Sequence, residues 1–139
     1  MILSAPALLP LCKRNIMIRT EVVLGVKDVA VSSAWYRQLL GCQSGHGGDI
    51  FEILTNEEGA TVLSLHKWGE HHHPTLTDPS VTPGNGLLLY FKTDRLMALW
   101  ENALEQGAVV EAEPHLNQNS GQEEFSLRDP DGYYISVST

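Results

Sequence analysis

"DVAVSSAWYRQLLG", residues 28–41, decides the architecture, because its pattern returns as "DRLMALWENALEQG", residues 94–107. Each stretch opens on an aspartate suited to cap a helix and closes thirteen positions later on a glycine suited to end one. In the first stretch Val29, Ser32, Trp35, Tyr36, Leu39 and Leu40 recur at helical spacing. In the second, Met97, Trp100 and Leu104 are expected to form the apolar face, with Arg95, Glu101 and Glu105 outside it. Trp35, Tyr36 and Trp100 therefore read as core.

Outward from each helix the period changes from 3.6 to 2. Val22, Leu24 and Val26 alternate with Glu21, Val23 and Gly25, which predicts a half-buried strand before the first helix. "CQSGH", "DIFEILT" and "ATVLSLH" follow as short strands, the last two joined by the turn "NEEG". The second half repeats this order: Leu87–Phe91, the helix, "AVVEAE", "EEFSLR", the turn "DPDG" and "YYISVS". Arg128 and "DPDG" read as turn chemistry. Each half is β–α–β–β–β, a duplicated module rather than a short-period repeat. The expected fold is α+β: two βαβββ modules forming a U-shaped, mostly antiparallel sheet with the helices outside. The expected boundaries are an extension at 1–16, a first module at 17–69, a linker at 70–85 and a second module at 86–139. The linker is rich in Pro, Gly, Thr and His, a loop composition.

Composition narrows the function. The 139 residues carry a formal charge of −8, with no basic stripe, so a nucleic-acid partner is not expected. An acidic body favours neutral or cationic ligands. Cys12 and Cys42 lie far apart and fit reduced thiols in a cytoplasmic protein. "ILSAPALLPLC" near the start lacks a preceding basic residue and a convincing cleavage site, so it does not read as a signal peptide. No apolar run reaches the ~18 residues a membrane span needs, and no membrane partner is expected.

The order of elements, with "DVAVSSAWYRQLLG" early and "DPDGYYISV" late, resembles the vicinal oxygen chelate superfamily of glyoxalase I, bleomycin-resistance proteins and extradiol dioxygenases. The resemblance covers residues 18–138. "ATVLSLHKWGE" is similar to the fourth-strand region of glyoxalase I. It implies a pocket within the curved sheet, often completed by pairing in a homodimer. In metal-dependent members it also implies ligands on the first and last strand of each module.

Carried over one by one, those places fall on Glu21, on Leu63, on Leu87 or Leu88, and on Ser136. Only Glu21 offers a good donor for a divalent ion. No cofactor is therefore expected; a divalent metal stays possible, but the ligand places are mostly lost. "SLHKWGEHHHP", residues 64–74, holds four further imidazoles. His66 faces away from the pocket if Leu63 faces it, and becomes a pocket residue if the register slips by one. His71, His72 and His73 read as a solvated loop, with metal binding as the alternative.

The expected ligand-binding residues are Glu21, Val23, Leu63, His66, Trp68, Leu88, Tyr90, Tyr134 and Ser136, an apolar hollow with a few polar handles. Tyr90 and Trp68 offer stacking faces for flat or cationic ligands. Glu21 is the candidate general base if it is buried, and a solvated strand end if it is not. Two functions follow. One is a bleomycin-resistance-like protein that binds a small cationic or aromatic molecule without the family metal. The other is a glyoxalase-like lyase or isomerase acting on a small carbonyl or thiol-adduct substrate. A homodimer and a small-molecule ligand are the expected partners.

Overall fold

The structure, a computed structural model, describes residues 19–71 and 73–139. The expected extension at 1–16, with Cys12, and His72 lie outside the described residues. The described order is β1 (Val23–Val26), α1 (Val29–Leu40), β2 (Gln43–His46), β3 (Phe51–Thr55), β4 (Thr61–Lys67), β5 (Leu89–Lys92), α2 (Leu96–Glu105), β6 (Val109–Leu116), β7 (Glu123–Arg128) and β8 (Tyr134–Ser138). Two four-stranded sheets result, ordered β1-β4-β3-β2 and β5-β8-β7-β6. In each, the first strand runs parallel to the last and the other pairs are antiparallel.

Local chemistry sets the first helix. The Asp28 carboxylate accepts the Val31 N–H at 3.1 Å, satisfying one orphan donor of the first turn. Gly41 ends the helix at φ 74°, where a Cβ would be strained, and its N–H reaches the Arg37 carbonyl at 2.9 Å. The second helix differs from expectation at both features read for it. Its cap position is Arg95, and Asp94 caps nothing; the Thr93 hydroxyl oxygen accepts the Arg95 N–H instead, at 3.0 Å. Its buried face is Leu96, Leu99 and Ala103 with Trp100 half-buried, whereas Met97 and Leu104 are more than half exposed. Leu96, Leu99, Trp100 and Ala103 stand three or four apart, so they form the continuous stripe; Met97 and Leu104 only flank it.

Strand register sorts every side chain to one of two faces. Leu54 lies opposite Leu63 and Leu65 opposite Leu24, and all four are buried at 2% exposure or less. They form the face that packs against α1. Val23 opposite Ser64, and Gly25 and Phe51 opposite His66, belong to the helix-free face. In the second sheet Leu89, Ile135 and Leu127 share the helix-packed face, while Tyr90, Ser136 and Ser126 share the free one. One apolar cluster joins both modules, running from Leu24, Tyr36 and Leu39 to Leu99, Phe125 and Val137. Each such burial stabilises by about 1.5–3 kcal/mol.

The "DPDG" turn fastens the modules together. The buried Tyr36 hydroxyl of α1 donates to Asp129 at 2.6 Å. The other Asp129 oxygen accepts the N–H groups of Asp131 and Tyr133, both at 2.9 Å. Asp131 accepts from Lys27 N–H and the Ser32 hydroxyl, and Tyr133 donates to the Gly25 carbonyl at 2.8 Å. Burial raises the Asp129 carboxyl above its usual value, with the Tyr36 hydrogen bond opposing that rise. Burial and the Asp129 charge raise Tyr36 well above the tyrosine range and Tyr133 to about 12.

Candidate functional site

Of the residues considered for a pocket, Val23, His66, Tyr90, Tyr134 and Ser136 stand on the helix-free faces, while Glu21 precedes β1 and Trp68 follows β4. Leu63 does not face the hollow. It is 1% exposed against the helix, and the register gives its neighbour Ser64 to the free face. The side chain that β4 turns to the free face there is the neutral Ser64 hydroxyl, which is a poor ligand for a divalent ion. The cause is the period of two: one residue of misalignment moves a strand's whole apolar set to the other side.

On the first sheet, Glu21 precedes β1, is half exposed, and pairs with Arg19 at 3.2 Å. Val23 is 44% exposed on the free face, and His66 is buried there. The Trp68 indole crosses β1 together with Leu76: a Cβ built on Gly25 would stand 3.0 Å from the indole and 2.9 Å from Leu76. This close approach favours glycine at that position, since any Cβ would push the indole and Leu76 outward. A cavity of about 320 Å³ opens beside it, lined by Val23, Phe51, His66, His73, Pro74, Thr75 and Leu76.

On the second sheet, Leu88 and Tyr90 are exposed, and Tyr90 lies opposite Ser136. The Ser136 and Ser126 hydroxyls bond each other at 2.7 Å, and among the described hydrogen bonds neither is paired with an imidazole that could activate it. Tyr134 is covered by the Arg128 guanidinium, 5.0 Å above its ring. The Tyr90 hydroxyl donates to Glu124 at 3.3 Å, and Asn117 Nδ2 donates to the same oxygen at 3.0 Å. His115 Nε2 stands 4.0 Å from the other Glu124 oxygen. Glu124 is 7% exposed. Glu124, Asn117 and His115 were not singled out by sequence. The usable signal was strand parity in "EEFSLR", which sets Glu124 and Ser126 on one face. A cavity of about 470 Å³ joins Tyr90 and Lys92 to Val62 and Leu40 of the first module.

The side chains at the family's metal places do not form a chelating set. Glu21 is engaged by Arg19, Ser64 is neutral, Leu88 is apolar, and Ser136 is engaged by Ser126. A divalent ion needs three or four convergent nitrogen or carboxylate donors.

Residues 19–137 match the sequence model of the Glyoxalase/Bleomycin resistance protein/Dioxygenase superfamily, and the chain belongs to that family. No curated protein matches it. A structure from the mobile metagenome of V. pseudocholerae is 25% identical, with TM-score 0.67, covering 88% of this chain and 95% of that one. A lactoylglutathione lyase from Agrobacterium tumefaciens is 19% identical, with TM-score 0.65, covering 87% and 92%. A bleomycin resistance determinant encoded on the transposon Tn5 is 20% identical, with TM-score 0.63, covering 88% and 98%. At such identities the last two share a fold with this chain. Among the described residues no helix is long and apolar enough to cross a membrane.

Proposed function

We propose that the protein binds a small aromatic or cationic molecule on the helix-free faces of its sheets, without a metal at the family's ligand places. The observation that carries this is the Tyr90–Glu124 pair. Tyr90 presents an exposed ring, and its hydroxyl is tied to a buried carboxylate that no lysine or arginine neutralises among the described ion pairs. An aromatic face beside a partly desolvated anion suits a cationic aromatic ligand, through ring area and charge. Lys92 at 5.5 Å from the Tyr90 ring already uses this attraction within the chain. Such a protein works by holding its ligand, with no bond made or broken.

Exposed Val23, Leu88 and Tyr90 on these faces favour closure of the hollow by a second copy, so a homodimer is part of the reading. A cytoplasmic location belongs to it too, in keeping with the free thiol of Cys42. A lyase or isomerase acting on a small carbonyl or thiol adduct is the second reading. It is favoured by the buried His66 facing an apolar cavity, where an imidazole could move a proton. Glu21 is a weaker base candidate, being exposed and ion-paired.

Thermal unfolding against a panel of bleomycin-class antibiotics and aromatic quaternary ammonium ions, all in chelator, tests the binding reading. A true ligand at a hundredfold excess over Kd should stabilise by roughly 2.7 kcal/mol. Tyr90→Ala should abolish most of that gain. A panel with no stabilising member would count against binding, and a gain that requires added metal would favour the catalytic reading.

A further inference from the structure

We propose a divalent transition-metal site formed by His66, His71 and His73, distinct from the family's ligand places. One nitrogen from each ring lies within 4.8 Å of the other two. His66 stands on the free face of β4 at 3% exposure, and His71 and His73 lie on the loop that follows.

Three features separate this cluster from a chance crowd of imidazoles. First, the tautomer of His66 is fixed. Its Nδ1 lies 2.8 Å from the Lys67 carbonyl oxygen, which only accepts, so in the neutral ring Nδ1 carries the proton and Nε2 turns its lone pair toward His71 Nδ1. Metal-bound histidines are oriented by such a backbone carbonyl. Second, His66 Nε2 and His71 Nδ1 are 3.2 Å apart. Two nitrogens on a tetrahedral ion with bonds of 2.0–2.1 Å stand about 3.3 Å apart. Third, His71 is held at φ 60°, the one non-glycine residue with positive φ among the described residues. Backbone of this kind is retained where its surroundings enforce it.

The loop is anchored so that the rings stay together. Gly69 N–H bonds the Leu76 carbonyl at 2.7 Å, Leu76 N–H bonds the His73 carbonyl at 3.0 Å, and Leu76 packs over Gly25. The His73 ring meets His66 edge-on with centroids 4.7 Å apart. Three imidazoles leave one tetrahedral position open, and the 320 Å³ cavity bounded by Val23, Phe51 and Leu76 adjoins it. An all-nitrogen set selects zinc, nickel, cobalt or copper over magnesium and calcium. Water or a small oxygen ligand would take the fourth position.

The site stands apart from the binding reading, and its test uses no organic ligand. Chelator-stripped protein is titrated with Zn²⁺ against a chromophoric competitor, and with Co²⁺ by visible absorption. The expected result is one ion per chain, tetrahedral cobalt bands, and no competition from Mg²⁺. His66→Gln and His73→Ala should each weaken zinc at least ~100-fold, beyond the 10–100-fold typical of losing a supporting contact. His115→Ala, on the other sheet, should leave affinity unchanged. His73 is an exposed loop residue, so its variant decides the matter even if His66→Gln misfolds. Unchanged affinity in His73→Ala, or in a folded His66→Gln, would overturn the site, as would zinc below one ion per chain.

Discussion

Leu63→Glu is expected to unfold the protein instead of creating a metal ligand. Leu63 is 1% exposed, lies opposite Leu54, and faces α1 with Leu65 on the same strand. Truncating a leucine in such a place costs about 2–5 kcal/mol by itself. A carboxylate there would also be taken out of water with no cation opposite it, a further cost of several kcal/mol. Together these rival the ~5–15 kcal/mol that holds a typical domain. Leu63→Met keeps the volume and should lose less than about 1.5 kcal/mol. Urea denaturation followed by circular dichroism measures both. A folded Leu63→Glu protein with a midpoint near wild type would place the side chain on the free face and reverse the register argued above.

Tyr36→Phe should destabilise by about 1–3 kcal/mol at neutral pH, the cost of leaving a buried acceptor unpaired, with charge pushing toward the upper end. The hydroxyl it removes is the 2.6 Å donor to Asp129, which ties α1 to the turn before β8. The effect should depend on pH in a defined direction. Burial raises the folded-state value of Asp129 above the ordinary 3.8, so the folded chain holds a proton that the unfolded chain has released. The associated stability is present below 3.8 and is lost as pH rises through the raised value. The Tyr36 bond opposes that rise, so Tyr36→Phe raises the Asp129 value further. Its deficit should therefore be largest near neutral pH and shrink on acidification toward the ordinary aspartate range. Denaturation midpoints of the two proteins across that interval check it, and a deficit that grows on acidification would contradict the assignment.

The duplicated architecture was legible because each half writes its own punctuation. Asp28 and Gly41 bracket a helix by side-chain capping and positive φ, both local effects. The second helix was read less well. Asp94 has the residue type of a cap, but Thr93 supplies the oxygen, and the stripe through Leu96 and Leu99 outcompetes the one through Met97 and Leu104. The free-face residues were legible only up to strand parity. Val23, Tyr90 and Ser136 fall on that face, whereas Leu63 was placed on it through a one-residue error. Consecutive imidazoles splay, so His71, His72 and His73 read in the sequence as a solvated loop, separate from His66 on its strand. What sequence alone does not show is the chain reversal at Gly69 and the positive φ of His71, which fold the loop back onto His66. A glutamate in a short strand reads as solvated until Tyr90, His115 and Asn117 are in place around it, so Glu124 carries no signal of its own in the sequence.

The central claim is that the helix-free faces bind a ligand through neutral, aromatic and buried acidic groups with no ion at the family's places. Amide chemical shifts followed by NMR during titration of a stabilising aromatic cation, in chelator, test it most directly. The account predicts saturable shifts at Gly25, Ser64, Tyr90, Glu124 and Ser136, with the α1 amides unmoved. Shifts that appear only when divalent metal is added, and that centre on Glu21 and Ser136, would contradict it.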